Sequence, residues 1–342
     1  QLGHIGEAVA FINEHFHGTS RDCPTWSLWA TGMVVVLYDQ NRLAEAQQLC
    51  EDLLPMVSSA SATEVISTVY LTLSRLQHLQ GKQKPSERML EKLLGILQLG
   101  NYERFVNMAV LEMVRQAFTA GHWTRLDVVA ERFDLAGWVA DNGTRTPAAY
   151  SQSWERKGLA AAYWLIANGR LAEAEAVLQR LLTVVKAAGI MTRASIIEAN
   201  LLVITGKGRS TCEQARRVDA LITRYGLLNI NRPVFDEAPG LAGLMQRLWS
   251  GGALTLPEFY TDLFPTVFDA APANDPLAVD PDSVLTPKEL EIFELLQNGL
   301  SNAQISEKTG TSVTTTKWHL KNIYSKLGVS SRTEAVLRAA PR

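Results

Sequence analysis

The chain has little cysteine: Cys23, Cys50 and Cys212, widely spaced and odd in number among 342 residues. This excludes a disulfide framework and a cysteine metal site, and a reducing compartment is expected. Apolar runs of the roughly 20 residues that span a bilayer are missing, as is a signal-peptide pattern, so the expectation is a cytoplasmic protein without membrane attachment. Serine, histidine and aspartate show no nucleophile-elbow context, and catalysis is not expected. His15 and His17 beside Glu14 form a histidine cluster, but i, i+2 side chains diverge on a helix, so no metal site is expected. Net charge is also small, at −2, yet unevenly spread. Residues 283–342 hold eight Lys or Arg against five Asp or Glu, which leaves the remainder at −5. A basic tail on an acidic body points to an anionic partner for the tail alone.

What is present is apolar residue at helical spacing, 46% hydrophobic in all, in a chain long enough for more than one domain. A period of about forty residues runs through it. Gly3-His-Ile-Gly-Glu-Ala8, Asn41-Arg-Leu-Ala-Glu-Ala46 and Gly169-Arg-Leu-Ala-Glu-Ala174 share one pattern, with weaker copies at Gly81, Gly121 and Gly206. Successive offsets are 38, 40, 40, 48 and 37 residues, and the loop-like Asp141–Pro147 stretch is expected to absorb the excess in the long unit. Each marker lies between two helical patterns, where Gly or Asn suits a left-handed helix end. Helix pairs that cannot bury their apolar faces alone must stack, so residues 1–264 are expected to form a right-handed superhelix, with Pro233–Phe264 capping the stack. The chain opens directly on the second helix of a pair and is expected to be cut from something longer. Pro265–Pro281, rich in Pro, Ala and Asp, reads as a linker over 265–283.

Residues 284–342 carry legible helix caps. Thr286-Pro-Lys-Glu289 and Ser301-Asn-Ala-Gln304 are capping boxes, Gly299 and Gly310 end the helices they open, and Ser331-Arg-Thr-Glu334 caps a last one. A third helix from Val313 to Leu327 places Val313, Thr316, Leu320, Ile323 and Leu327 on a core stripe. Thr314, Lys317, Trp318, Lys321 and Ser325 then lie opposite, so Trp318 is expected to face solvent between two lysines. A short helix, a glycine turn and a longer helix make the unit that lays its second element into the major groove.

The helical period resembles tetratricopeptide-like repeats with slightly long units. Leu285-Thr-Pro-Lys-Glu-Leu-Glu-Ile-Phe-Glu-Leu-Leu-Gln-Asn-Gly-Leu-Ser-Asn302, continued by Thr315-Thr-Lys-Trp-His-Leu-Lys-Asn-Ile-Tyr-Ser-Lys-Leu-Gly-Val329 and Arg332, resembles the LuxR-type helix-turn-helix. The fold class implied is all-α, a helical-repeat superhelix followed by a tri- or tetra-helical DNA-binding domain. The resemblance implies double-stranded DNA contacts from Thr314, Thr315, Lys317, Trp318, Lys321 and Asn322, and dimerisation through Arg332, Glu334, Ala335 and Arg338. Lys288 stands where that family has Arg, and Thr311 and Thr316 stand where it has Ile and Val, which would loosen the small core.

A helical array ahead of such a domain resembles the MalT-like large ATP-dependent regulators, in which a nucleotide-binding module precedes a helical sensor. No G-x-x-x-x-G-K-[ST] occurs here, since Gly206-Lys-Gly-Arg-Ser lacks the spacing, so ATP is expected only in a longer protein. The resemblance implies a small-molecule inducer or a regulatory protein on the concave face, RNA polymerase as a partner, and a dimer or higher oligomer on DNA. Trp138, Trp154, Tyr163 and Trp164 could line a ligand pocket, or serve as packing anchors. The function expected is transcriptional activation under control of the helical array.

Overall fold

The turn markers of the forty-residue period sit in left-handed turns between paired helices. Asn41, Gly81, Gly121 and Gly169 have φ of 60°, 71°, 68° and 73°, a region where a missing or small polar side chain avoids the Cβ clash. The next residue's N–H then reaches back five residues each time: Arg42 to the Leu37 carbonyl, Lys82 to Gln77, His122 to Ala117 and Arg170 to Leu165, at 2.8–2.9 Å. This bond closes orphan carbonyls at each helix end and turns the chain within three residues. Gly206 does not join them. Its φ is −79°, and the second helix of its pair starts only at Thr211.

The computed structural model describes residues 5–23, 25–57, 61–100, 102–142, 147, 149–206, 209–226, 231–256, 285–297, 300–327 and 335. Helix α1 (Ile5–Gly18) is followed by five pairs. These are α2 (Trp26–Asp39) with α3 (Leu43–Leu53), α4 (Thr63–Leu79) with α5 (Gln83–Leu99), α6 (Glu103–Thr119) with α7 (Trp123–Arg132), α9 (Gln152–Ala167) with α10 (Leu171–Ala187), and α11 (Met191–Thr205) with α12 (Thr211–Tyr225). The long unit takes up its extra residues with an additional helix, α8 (Leu135–Asn142), rather than by a loop alone. Residues 143–146, in the middle of the expected loop, lie outside the described residues. Two short helices follow, α13 (Arg232–Asp236) and α14 (Leu241–Ser250), and then α15 (Pro287–Gln297), α16 (Asn302–Thr309) and α17 (Val313–Leu327). Among the described residues there is no strand, and the fold class is all-α.

The repeated pattern has a packing reason. The residue five positions after each marker (Ala46, Ser86, Leu126 and Ala174) has no exposed surface. Ser86 is the polar one, and its hydroxyl is satisfied by the Ser74 carbonyl and Gln116 Oε1, both at 2.8 Å. Apolar side chains from Ile66 to Leu256 form one continuous core, joined by a second from Trp26 to Leu76. A separate small core unites Leu285, Ile292, Phe293, Leu296, Ile305, Leu320, Ile323 and Ala335.

One expectation is corrected here. Helix α14 packs against α11 and α12 as a cap of the last pair would, but the residues of α13 do more than cap. Helix α13 packs against α11 and against α2, and Tyr38 bonds Asp236 across 198 residues of chain. Residues beyond Leu256, including the expected linker 265–283, lie outside the described residues up to Leu285.

Candidate functional site

The small core presents α17. Thr286 and Glu289 exchange bonds at the start of α15, the Thr286 N–H donating to Glu289 Oε2 at 2.8 Å. Ser301 and Gln304 do the same for α16, and Gly310 ends it at φ 66°. Lys288 Nζ reaches the Thr309 carbonyl at 3.1 Å, so this lysine closes the far end of α16. On α17, Thr316, Leu320 and Ile323 are buried, while Thr314, Thr315, Lys317, Trp318 and Lys321 are exposed and Asn322 is half-buried. Trp318 is 59% exposed, its ring edge-on to His319. Among the described residues neither Lys317 nor Lys321 pairs with a carboxylate. Thr315 Oγ1 is engaged by the cap residue Ser312 at 2.8 Å, which places it at the helix entry.

Three expectations change in detail. Val313, assigned to the core stripe, is 42% exposed, because it is the first residue of α17 and lies beyond the reach of α15 and α16. Thr311 and Thr316 leave no loose polar group: Thr316 Oγ1, fully buried, shares a hydrogen bond with Thr311, which shares one with Thr309, each 2.9 Å. The Thr309 hydroxyl ends the chain on the Ile305 carbonyl at 2.8 Å. Ala335 is buried in this same core, so its methyl packs inward; Arg332, Glu334 and Arg338 lie outside the described residues, as do the side chains of Ser325 and Leu327.

The first helices of the five pairs build a second, charged site. Glu112, with no exposed surface, accepts from Arg75 Nε at 2.9 Å, from Arg115 Nε at 3.0 Å and from Gln116 Nε2 at 2.8 Å. Glu155, equally buried, accepts from Arg193 Nη2 at 2.7 Å and Arg156 Nη1 at 2.7 Å. Into this frame the chain inserts Asp236 and Glu237. Tyr38 donates to Asp236 Oδ2 at 2.6 Å and Arg232 to Oδ1 at 2.9 Å. Arg75 and Arg193 donate to the two oxygens of Glu237 at 3.2 and 2.6 Å. Eight residues, 231–238, span at most about 29 Å fully extended. Since they bond side chains from α2, α4, α6, α9 and α11, the first helices of all five pairs each turn one face toward this segment, and together these make the inner face of the array.

Electrostatics follow from this burial. Desolvation alone would raise the Glu237 and Glu112 carboxyls, but Arg193 and Arg75 outweigh it for Glu237, and Arg115 and Arg75 for Glu112; both stay below the usual carboxylate range. His78, on the same face, is pushed down to about 4 by burial, with Arg115 adding to it. Half-buried Asp39 is pushed up to about 7 by desolvation.

The four aromatic residues expected to line a pocket do not converge on one. Trp138 and Trp154 pack on each other with ring centroids 5.8 Å apart. Gly158 permits this, because a Cβ there would meet Trp138 at 2.7 Å. Tyr163 is buried beside Phe118 and donates its hydroxyl to the Glu237 carbonyl. Trp164 turns the other way, its indole N–H 3.2 Å from Asp127 and Arg170 over its ring. Sequence reading missed Arg75, Glu112, Arg115, Glu155, Arg193 and Glu237. The signal that marks them is a charge at a core-facing position of a helix, which needs a paired charge elsewhere to be tolerated.

Residues 283–339 match the family model for bacterial regulatory proteins, luxR family. Over 62 residues, 18% of this chain and 29% of the other, the sequence is 52% identical to a probable transcriptional regulatory protein, SgaR, of Hyphomicrobium methylovorum. It is 23% identical over 326 residues to the HTH-type transcriptional regulator MalT of Vibrio cholerae, covering 89% of this chain and 35% of that protein. It is 44% identical over 57 residues, 17% of this chain and 6% of the other, to the MalT of Yersinia pestis. The chain thus spans about a third or less of the curated relatives it matches, and no solved structure matches it. The short, high-identity matches are about as long as the small domain, whereas the Vibrio match, over 89% of the chain, takes in most of the helical array as well. With the capped α15–α16–α17 unit and its outward Lys317, Trp318 and Lys321, residues 283–339 are a LuxR-family helix-turn-helix domain, and the chain as a whole is similar to the MalT-like, LuxR-type regulators.

Proposed function

We propose that this chain is the sensing and DNA-docking portion of a transcriptional activator, with α17 entering the major groove of double-stranded DNA. The observation that carries the reading is the exposed Trp318 between Lys317 and Lys321, presented by a buried Thr316–Leu320–Ile323 stripe. A large apolar ring held outward on a basic helix face has no folding purpose there, whereas a groove offers thymine methyls to the ring and phosphates or guanine edges to the lysines. Dimerisation on DNA through the residues around Arg332–Arg338, contact with RNA polymerase, and ATP use by a preceding module in a longer protein belong to the same proposal. The test is DNA binding by the full chain across a salt series. Lys321→Ala should weaken binding to all sequences and reduce the salt slope by about one. Trp318→Ala should change preference at one or two base pairs. If both variants bind like the parent, the docking face lies elsewhere.

For the sensing half, a cavity of about 310 Å³ between α10, α11 and α12, lined by Gln179, Glu198, Leu201, Thr205, Arg217 and Arg224, has the size for a small polar inducer. A second reading, control by a protein partner, is favoured by a different observation: the inner face already holds a peptide segment of this chain.

A further inference from the structure

Residues 231–238 are seated as a peptide is seated in a receptor. A terminal cap touches only the last repeat. This segment instead bonds Tyr38 and Asn41 at one end of the array and Arg193 and Asn200 at the other. The array also reads its main chain, not only its side chains. Tyr163 and Asn200 both donate to the Glu237 carbonyl, Asn200 at 2.6 Å, and Arg115 approaches the Asp236 carbonyl at 3.4 Å. Val234 and Phe235 are buried as its apolar anchors.

The receptor side is built without the segment. Glu112 holds the guanidinium groups of Arg75 and Arg115, and Glu155 holds those of Arg156 and Arg193, so the forks are aimed before anything enters. Four arginines against two glutamates leave two positive charges over, with half-buried Asp39 near Arg75. The segment supplies Asp236 and Glu237, while its own Arg232 is spent on Asp236 and Asn41. Because a buried ion pair gains little over its desolvation cost, exchanging one acidic segment for another of the same kind costs little, whereas leaving the arginines empty costs much.

We propose that the inner face of the helical array is a binding site for an acidic peptide segment, and that residues 231–238 are its tethered resident ligand, displaced by a competing acidic segment of a partner protein. This deepens the protein-partner reading of the array and is independent of the DNA reading, because its test contains no DNA. In the full chain, Asp236→Asn with Glu237→Gln weakens the resident segment and leaves every arginine in place. A fluorescently labelled peptide Asn-Arg-Pro-Val-Phe-Asp-Glu-Ala should bind this double variant at least tenfold more tightly than the parent. The same peptide with Asn and Gln in place of its two acids should fail to compete. A double variant that melts like the parent but takes up no peptide overturns the proposal. If the variant does not fold, amide hydrogen exchange on the parent decides. The hydrogen-bonded amides of Val234 and Glu237 should exchange at least tenfold faster than those of Leu111–Val114 in α6, through release of the segment alone. Equal rates would make the segment ordinary core and overturn the proposal.

Discussion

The helical array and the small domain at residues 285–335 are built from the same element, yet they satisfy their buried polar groups in different ways. In the small domain the partners are near in sequence: Glu289 bonds Thr286, Ser306 bonds the Ala303 carbonyl, and Thr316 bonds Thr311. In the array local partners are joined by distant ones. Arg75 meets Glu112 and Glu237, Arg193 meets Glu155 and Glu237, and Tyr38 meets Asp236. Local partners make a rigid platform that displays one helix face. Distant partners tie repeats together through a segment that belongs to none of them.

The sharpest way to break this comparison is Glu112→Ala. It strands Arg75, Arg115 and Gln116 in a buried site and should cost about 3–5 kcal/mol, the usual loss when one partner of a buried ion pair is removed. Urea unfolding followed by far-UV ellipticity measures it. A cost under 1 kcal/mol would mean the charged frame is not what holds the repeats together. A smaller effect is expected from Ser301→Ala, which removes the α16 cap and should cost the small domain about 1 kcal/mol. Faster hydrogen exchange at Ile305 and Leu320, with Val114 unchanged, would show that the effect stays local; acceleration at Val114 would join the two regions into one cooperative unit.

The remaining prediction concerns half-buried Asp39, pushed up by desolvation, and it carries a pH sign. In the fold Asp39 keeps its proton up to about pH 7, whereas an unfolded aspartate gives it up near 4. The cost of folding with this carboxyl therefore grows between about pH 4 and 7 and stays constant above. Asp39→Asn removes that cost, so its gain in Tm should be larger at pH 8 than at pH 5. An equal gain at both would place Asp39 in a solvated environment, outside the field of the inner face.

The same difference in range explains what could be read in advance. Markers at Asn41, Gly81, Gly121 and Gly169 gave the period and the turns, because a left-handed helix end is a local requirement of the backbone. Capping boxes at Thr286 and Ser301, and the buried stripe of Thr316, Leu320 and Ile323 opposite Trp318, depend on residues three to seven apart. Gly206 misled because a glycine is permitted, not compelled, to take positive φ. Val313 misled because periodicity assigns a direction but not whether a neighbouring helix extends far enough to cover it.

By itself the sequence determined the paired helices, their turns, the capped DNA-binding unit and the outward face of α17, since each follows from interactions within one or two helical turns. Only the tertiary structure decided that Trp138 and Trp154 pack on each other, that Tyr163 and Trp164 part company, and that Asp236 and Glu237 close the inner face. Those choices rest on charges and rings up to 198 residues apart, and a buried arginine is tolerable only where the completed fold delivers its carboxylate.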